Sequence, residues 1–196
     1  MIRRSLLLSA LCLVAVACGG KEEEVVVEGT VIGSTSVEID SRMVTTRVKE
    51  SALGNYMSDV LLAEMKAKGK SVDIAFVNAG AIRGGAVVDF AFTSDEARLG
   101  KLLPAGSLTD PDVAGWFPFQ NDHDLRTVTG TQLKSILERG ASSLPADLRA
   151  DQGGWFLQVA GLKYTIDCAG TVQQLNTAGD AVETEGSRIS RIQVGE

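Results

Sequence analysis

The chain carries 196 residues, 44% of them hydrophobic, with a formal net charge of −6, one histidine and three cysteines. That length suits one globular domain, and the acidic balance argues against nucleic acid or an anionic membrane face as the partner. A single histidine is too few for a multi-histidine metal centre.

Arg3 and Arg4 precede a run from Ser5 to Ala17 that is uncharged and mostly apolar, the charged-then-apolar order of an export signal. The run falls short of the roughly 20 apolar residues that a membrane span needs. Ala15-Val16-Ala17-Cys18 resembles a bacterial lipobox, although leucine is usual where Ala15 stands. The resemblance implies that residues 1–17 are removed as a signal peptide and that Cys18 carries lipid. Residues 18–24 then form the lipidated cysteine and a polar tether through Lys21-Glu22-Glu23-Glu24. Ordinary secretion with cleavage after Ala17 is the alternative. Either reading places the protein in the cell envelope, and the first anchors it on the periplasmic or outer-surface side of a bacterial membrane. Taking residues 1–17 from 196 would leave 179, and loss of Arg3 and Arg4 would move the charge from −6 to −8.

Residues 25–196 are expected to form the single domain. Valine, isoleucine, threonine and glycine dominate residues 25–39, which predicts strands over 25–31 and 37–39 with a turn at Gly33-Ser34. Residues 44–48 read as a third extended piece. Leu53, Tyr56, Met57, Val60, Leu61 and Met65 recur at three- and four-residue spacings. This predicts a helix over 52–68, with Ser51 capping its start and Gly69 its end. Residues 72–77 read as a buried strand that runs into Asn78-Ala79-Gly80-Ala81-Ile82-Arg83-Gly84-Gly85. A glycine-rich loop with asparagine and arginine after a strand can aim backbone N–H groups and a guanidinium at one bound group.

Residues 93–112 give no clear pattern, and 116–120 form an aromatic-proline segment. Residues 125–128 read as a strand. A second helix is expected over 131–139, with Leu133, Ile136 and Leu137 inward and Gly140 past its end. Residues 157–166 and 189–194 read as strands. Helices and strands interleave without a strict βαβ repeat, so the expected class is α+β (mixed α/β), a mixed β-sheet with packed helices. Cys12 lies in the leader and Cys18 takes lipid, which leaves Cys168 as a buried small residue on a strand, or as a reactive thiol.

Four stretches carry a family resemblance. They are Arg47-Val48-Lys49-Glu50-Ser51-Ala52-Leu53-Gly54-Asn55 with Asp59; Asn78-Ala79-Gly80-Ala81-Ile82-Arg83; Pro118-Phe119-Gln120-Asn121 with Thr129-Gly130 and Leu133; and Gly153-Gly154-Trp155-Phe156-Leu157-Gln158-Val159-Ala160-Gly161. In this order they resemble the C-terminal, substrate-binding domain of the 5'-nucleotidase family, which includes UDP-sugar hydrolases and 2',3'-cyclic phosphodiesterases. The resemblance implies that Arg47, Asn78 and Arg83 contact ribose and phosphate, that Gly80 belongs to the same binding loop, and that Phe119 stacks on the base. The residue chemistry suits those roles: guanidinium forks match phosphate oxygens and an aromatic face stacks on a nucleobase. Read without the family, Arg47 is an exposed strand residue, Asn78 and Arg83 shape a loop, and Phe119 is core.

The chain also departs from the family. Its catalytic partner domain, a metallophosphoesterase holding two metals, has no counterpart here, so no catalytic or metal-binding residue and no cofactor is expected. Divalent metals would enter only through a separate metallophosphoesterase. Asn121-Asp122-His123 has the wrong order for the family's metal motif, and His123 reads as a loop or surface residue. The domain is expected to be C-terminally shortened, without the glycine-rich segment that carries the family's second base-stacking aromatic. Ala79 and Ala81 stand where glycine is frequent.

Three functions follow as expectations. The first is a lipoprotein of nucleotide catabolism that binds a nucleotide or nucleoside, inactive alone or acting with a separate metallophosphoesterase. The second is an envelope scaffold that kept the fold and lost the ligand, and the third is a fragment of a longer enzyme.

Overall fold

The computed structural model describes residues 29–84, 87–88, 91–92, 100–119, 121–144 and 154–195. The leader, Cys18, the tether, Gly85, Gln120 and Gly153 lie outside the described residues, as do residues 25–28 and 93–99 of the segments read above. Among the described residues no helix is long and apolar enough to cross a membrane.

The architecture is α+β, as the sequence implied. In chain order the elements are β1 (Val31–Thr35), β2 (Ile39–Asp40), α1 (Met43–Thr46), α2 (Ala52–Ala67), β3 (Ala75–Asn78), a 3₁₀ turn (Ala79–Ala81), β4 (Val87–Val88), β5 (Ala91–Phe92), β6 (Leu102–Leu103) and β7 (Gly106–Thr109). There follow α3 (Asp110–Trp116), α4 (Gly130–Ala141), β8 (Leu157–Ala160), β9 (Leu162–Ile166), β10 (Gln174–Leu175), β11 (Val182–Thr184) and β12 (Ile189–Val194). The described strands pair antiparallel in twos: β1 with β7, β2 with β6, β3 with β8, β4 with β5, β9 with β12, and β10 with β11.

The β3–β8 pair is the centre, with Ala75 opposite Ala160 and Asn78 opposite Leu157. Leu157 and Val159 point to one face and pack with Leu133 and Leu137 of α4. Gln158 points to the other, against α2, where Gly54 leaves no room for a Cβ beside the Gln158 side chain. This alternation is the period-2 geometry of a strand covered on both faces. A second core joins Leu53 and Met57 of α2 to Ile82 and Trp116.

Caps fix both long helices. Ser51 Oγ accepts the Gly54 N–H at 3.0 Å, and Gly69 follows α2 with φ +73°. Thr129 and Gln132 form a capping box at the start of α4. At the other end the buried Arg188 guanidinium donates to the Ala141 carbonyl at 3.0 Å. Glu138, 1% exposed, accepts the backbone N–H groups of Arg188 and Ile189 at 3.0 and 2.9 Å. These contacts carry α4 through Gly140 to Ala141, beyond the end read from the sequence.

Several sequence expectations are corrected. Gly33 sits inside β1 instead of making a turn. Residues 44–48 are not extended: Asp40 accepts the Arg42 N–H and the Thr45 hydroxyl, and this local network starts α1. Tyr56 and Val60 are 60% and 48% exposed, so the buried face of α2 runs through Leu53, Gly54, Met57, Ser58 and Leu62. The strand read over 72–77 forms only from Ala75, and the one read over 157–166 breaks at Gly161, whose φ is +66°. Residues 125–128 belong to no strand. Cys168 is half-buried in the turn after β9 and packs on the main core.

Candidate functional site

The loop after β3 is held from three sides. Ala79 N–H donates to the Phe156 carbonyl at 2.7 Å, and Gly80 N–H to the Gly154 carbonyl at 2.6 Å. Asn78 Nδ2 donates to the same Gly154 carbonyl at 3.2 Å. A Cβ on Gly154 would lie 2.7 Å from the Gly80 Cα, so two glycines are what lets the chains approach this closely. On the third side, Arg83 N–H donates to the Trp116 carbonyl at 3.1 Å.

Arg83 folds over the loop that carries it. Its Nη1 donates to the carbonyls of Gly80 and Ile82 at 2.6 and 2.8 Å. The guanidinium carbon lies 5.0 Å from the Phe119 ring centroid, within cation–π range. Sequence positions 83 and 119 thus form one stacked unit, with Phe119 46% exposed.

Arg47 is positioned by a residue that the sequence reading gave no role. Gln158, 1% exposed, donates from Nε2 to the carbonyls of Thr46 and Lys49 at 2.8 and 2.9 Å. Its Oε1 accepts the Ser51 N–H at 3.1 Å, and its backbone carbonyl accepts the Ser58 hydroxyl at 2.8 Å. One amide therefore pins residues 46–51 to β8. The signal was present: a glutamine inside an otherwise apolar strand must find partners when buried. Arg47 Nε is itself buried without a hydrogen-bond partner among the described residues. Burial lowers the Arg47 pKa from its ordinary value, and the guanidinium stays charged. A charged donor left unmet in a partly buried position suits an anionic or carbonyl acceptor.

Asn78 also touches a different feature, a cleft of about 790 Å³ lined by Val128, Gln132, Ile136, Trp155 and Leu157 among others. Arg139 lies over the Trp155 ring at 4.7 Å on its wall. Arg47, Arg83 and Phe119 do not line this cleft. Of the five positions read from the sequence, the structure joins Asn78 and Gly80 to Gly154, stacks Arg83 on Phe119, and seats Arg47 on the Gln158-held segment. His123, Asp122 and Asp124 are exposed. Among the described residues no three histidine, cysteine, aspartate or glutamate side chains converge as metal ligands.

Residues 31–196 match the family described as 5'-nucleotidase, C-terminal domain. The chain is 33% identical over 135 residues to the trifunctional nucleotide phosphoesterase protein YfkN of Bacillus subtilis, a match covering 69% of this chain and 8% of that protein. The crystal structure of a 5'-nucleotidase precursor from Thermus thermophilus superposes with a TM-score of 0.59 at 26% identity, over 84% of this chain and 25% of that one. The NAD nucleotidase of Haemophilus influenzae shares the fold, with a TM-score of 0.52 at 17% identity over 85% of this chain and 24% of its own. The chain thus spans a quarter or less of the length of each of these proteins.

Proposed function

The chain belongs to the family of 5'-nucleotidase C-terminal domains, and from that membership we propose that it binds a nucleotide or nucleoside and leaves phosphoester chemistry to a separate metallophosphoesterase. In this reading Arg83 and Arg47 meet phosphate and ribose oxygens, Asn78 bonds a hydroxyl, Gly80 keeps the loop's backbone close, and Phe119 stacks on the base. The observation that carries it is the Arg83–Phe119 stack at 5.0 Å on a loop clamped by the Gly80–Gly154 approach. A planar cation beside an aromatic ring offers a phosphate fork and a stacking surface in one place.

The chain's own residues do not fit a two-metal centre. His123 is its single histidine and is exposed, whereas that chemistry draws on several imidazole and carboxylate ligands. Hydrolysis accordingly falls to the partner. The same proposal places the protein on a bacterial envelope membrane through lipid on Cys18, an anchor that fatty-acid labelling, lost in Cys18→Ser, would report.

Calorimetric titration of the full chain in mild detergent with AMP tests the site. Arg83→Ala is expected to weaken binding by about tenfold or more. Equal affinities would remove the assignment, and no binding in either protein would favour a scaffold that kept the fold alone. Phosphate release from AMP with manganese or zinc should be absent for the isolated chain. Metal-dependent turnover by that chain, abolished by Arg83→Ala, would overturn the division of labour.

A further inference from the structure

We infer that the cleft beside α4 binds a small monocarboxylic acid with an apolar body and one N–H or O–H donor, its carboxylate taken by Arg139. This goes beyond the nucleotide reading, because Arg47, Arg83 and Phe119 do not line the cleft. Gln132, Ser135, Ile136 and Arg139 all line it, and their spacing of three and four residues sets them on one face of α4. Leu157 of β8 and Leu175 of β10 line it too. At about 790 Å³ it has the size of sites that enclose small ligands.

Arg139 is prepared for a carboxylate. Its guanidinium lies over the Trp155 ring, 4.7 Å from the centroid, so one flat face is occupied and the N–H edge is left for a partner. Only Nη1 makes a hydrogen bond among the described residues, a 3.4 Å contact to Ser142 Oγ. No carboxylate pairs with Arg139 among those residues, although the chain carries a net charge of −6. Lys134, one turn earlier on α4, is already paired with Glu138 at 3.1 Å. Among the described residues Arg139 is the only charged side chain lining the cleft. It therefore matches a single negative charge and would leave a phosphate dianion half neutralised.

A second group on the wall calls for a donor. Gln173 is 2% exposed and lines the cleft. Its Nε2 donates to the Ser135 carbonyl at 3.3 Å and to the Ser135 hydroxyl at 3.0 Å, and the carbonyl partner fixes which end of the amide is nitrogen. Among the described residues Oε1 accepts no hydrogen bond. An acceptor left unmet on so buried a side chain is costly, and a ligand N–H or O–H removes that cost. Gln173, Arg139, Trp155 and Leu175 also line an adjoining hollow of about 390 Å³, so the guanidinium and the amide stand together where the two spaces meet. Ile136, Leu157 and the Trp155 ring are left for the apolar body. A plain hydrocarbon would fill volume and satisfy neither polar group.

The probe is N-acetyl-L-phenylalanine, which carries one carboxylate, an aromatic body and an amide N–H. It is titrated calorimetrically into the full chain in phosphatidylcholine vesicles, with empty vesicles as the blank. Tryptophan emission should change with the same midpoint, because Trp155 is 50% exposed and Trp116 only 3%, and the change should vanish in Trp155→Phe. Arg139→Gln should weaken binding about tenfold or more, with the fold checked by circular dichroism. The uncharged N-acetyl-L-phenylalaninamide should bind the wild type just as weakly, a comparison that needs no folded variant. The N-methylated acid, which lacks the N–H, should lose about threefold or more. Arg83→Ala should leave the probe's affinity unchanged, so this site and the nucleotide reading fail separately. Equal affinity of acid and amide would show an apolar cleft only, and equal affinity of the N-methylated acid would overturn the donor at Gln173. A loss confined to Arg83→Ala would move the acid to the other site, and absence of binding by the wild type would overturn the proposal outright.

Discussion

The two flanks of β3 are finished to different degrees. On the β8 side every junction is closed by named hydrogen bonds: Ala79 to Phe156, Gly80 to Gly154, and the Gln158 amide to Thr46, Lys49 and Ser51. On the other edge no strand pairs with β3 among the described residues, and Asn78 borders the cleft that Val128 also lines. The first, second and fourth family stretches meet on the closed flank, whereas the third supplies Phe119, which stacks on Arg83. The residues proposed to hold a ligand thus sit where the backbone is over-determined, as pre-organised binding requires. By contrast Phe76, Leu125 and Trp155 are large apolar side chains that remain exposed.

The contrast is broken most severely at Gln158. Gln158→Leu keeps the volume but deprives two carbonyls and one N–H of their partner. Each buried group left unsatisfied costs about 1–3 kcal/mol, with partial relief from water, so a loss of about 3 kcal/mol is expected. Against a total stability of about 5–15 kcal/mol this is severe. Urea unfolding measures it, and AMP binding should fall as well, because residues 46–51 carry Arg47. A loss below about 1 kcal/mol would mean that Gln158 does not tie this flank.

How much of this was legible in the sequence differs by element. Helix α2 was readable because sixteen residues repeat the period often enough to be seen. Its buried face was misassigned because Gly54 and Ser58, not larger apolar residues, make room for Gln158. Helix α1 has four residues and is started by Asp40 side-chain bonds, which no hydrophobic period reveals. At residues 125–128 the residue types favour a strand, but pairing needs a second chain segment, which propensity cannot supply. The Arg83–Phe119 stack joins positions 36 apart in sequence, and neither residue alone announces it.

A smaller change is expected from Asp40, at the end of β2. The Arg42 guanidinium, then the Thr45 hydroxyl and the Arg42 backbone N–H, hold its carboxyl down to about 2 against the cost of its burial. Because the folded pKa lies below the unfolded one, near 3.9, this contribution is fully present above about pH 4. It is lost as the pH falls through about 2. Asp40→Asn should therefore lower stability at neutral pH and flatten the acid side of the stability curve between those limits. Parallel pH profiles for wild type and variant would show that Asp40 does not support α1.

The smallest effect is expected at Leu125, and its smallness is informative. Leu125 is 47% exposed and its backbone makes no hydrogen bond among the described residues, so Leu125→Ser removes little that the isolated chain uses. The expected change is within about 0.5 kcal/mol, as for surface positions generally. Val128, three residues further toward α4, packs on the main core, and Val128→Ser should cost about 1 kcal/mol. Paired urea titrations of the two variants separate a position that is idle from one already in use. If Leu125→Ser costs as much as Val128→Ser, Leu125 is held within the chain itself as Val128 is.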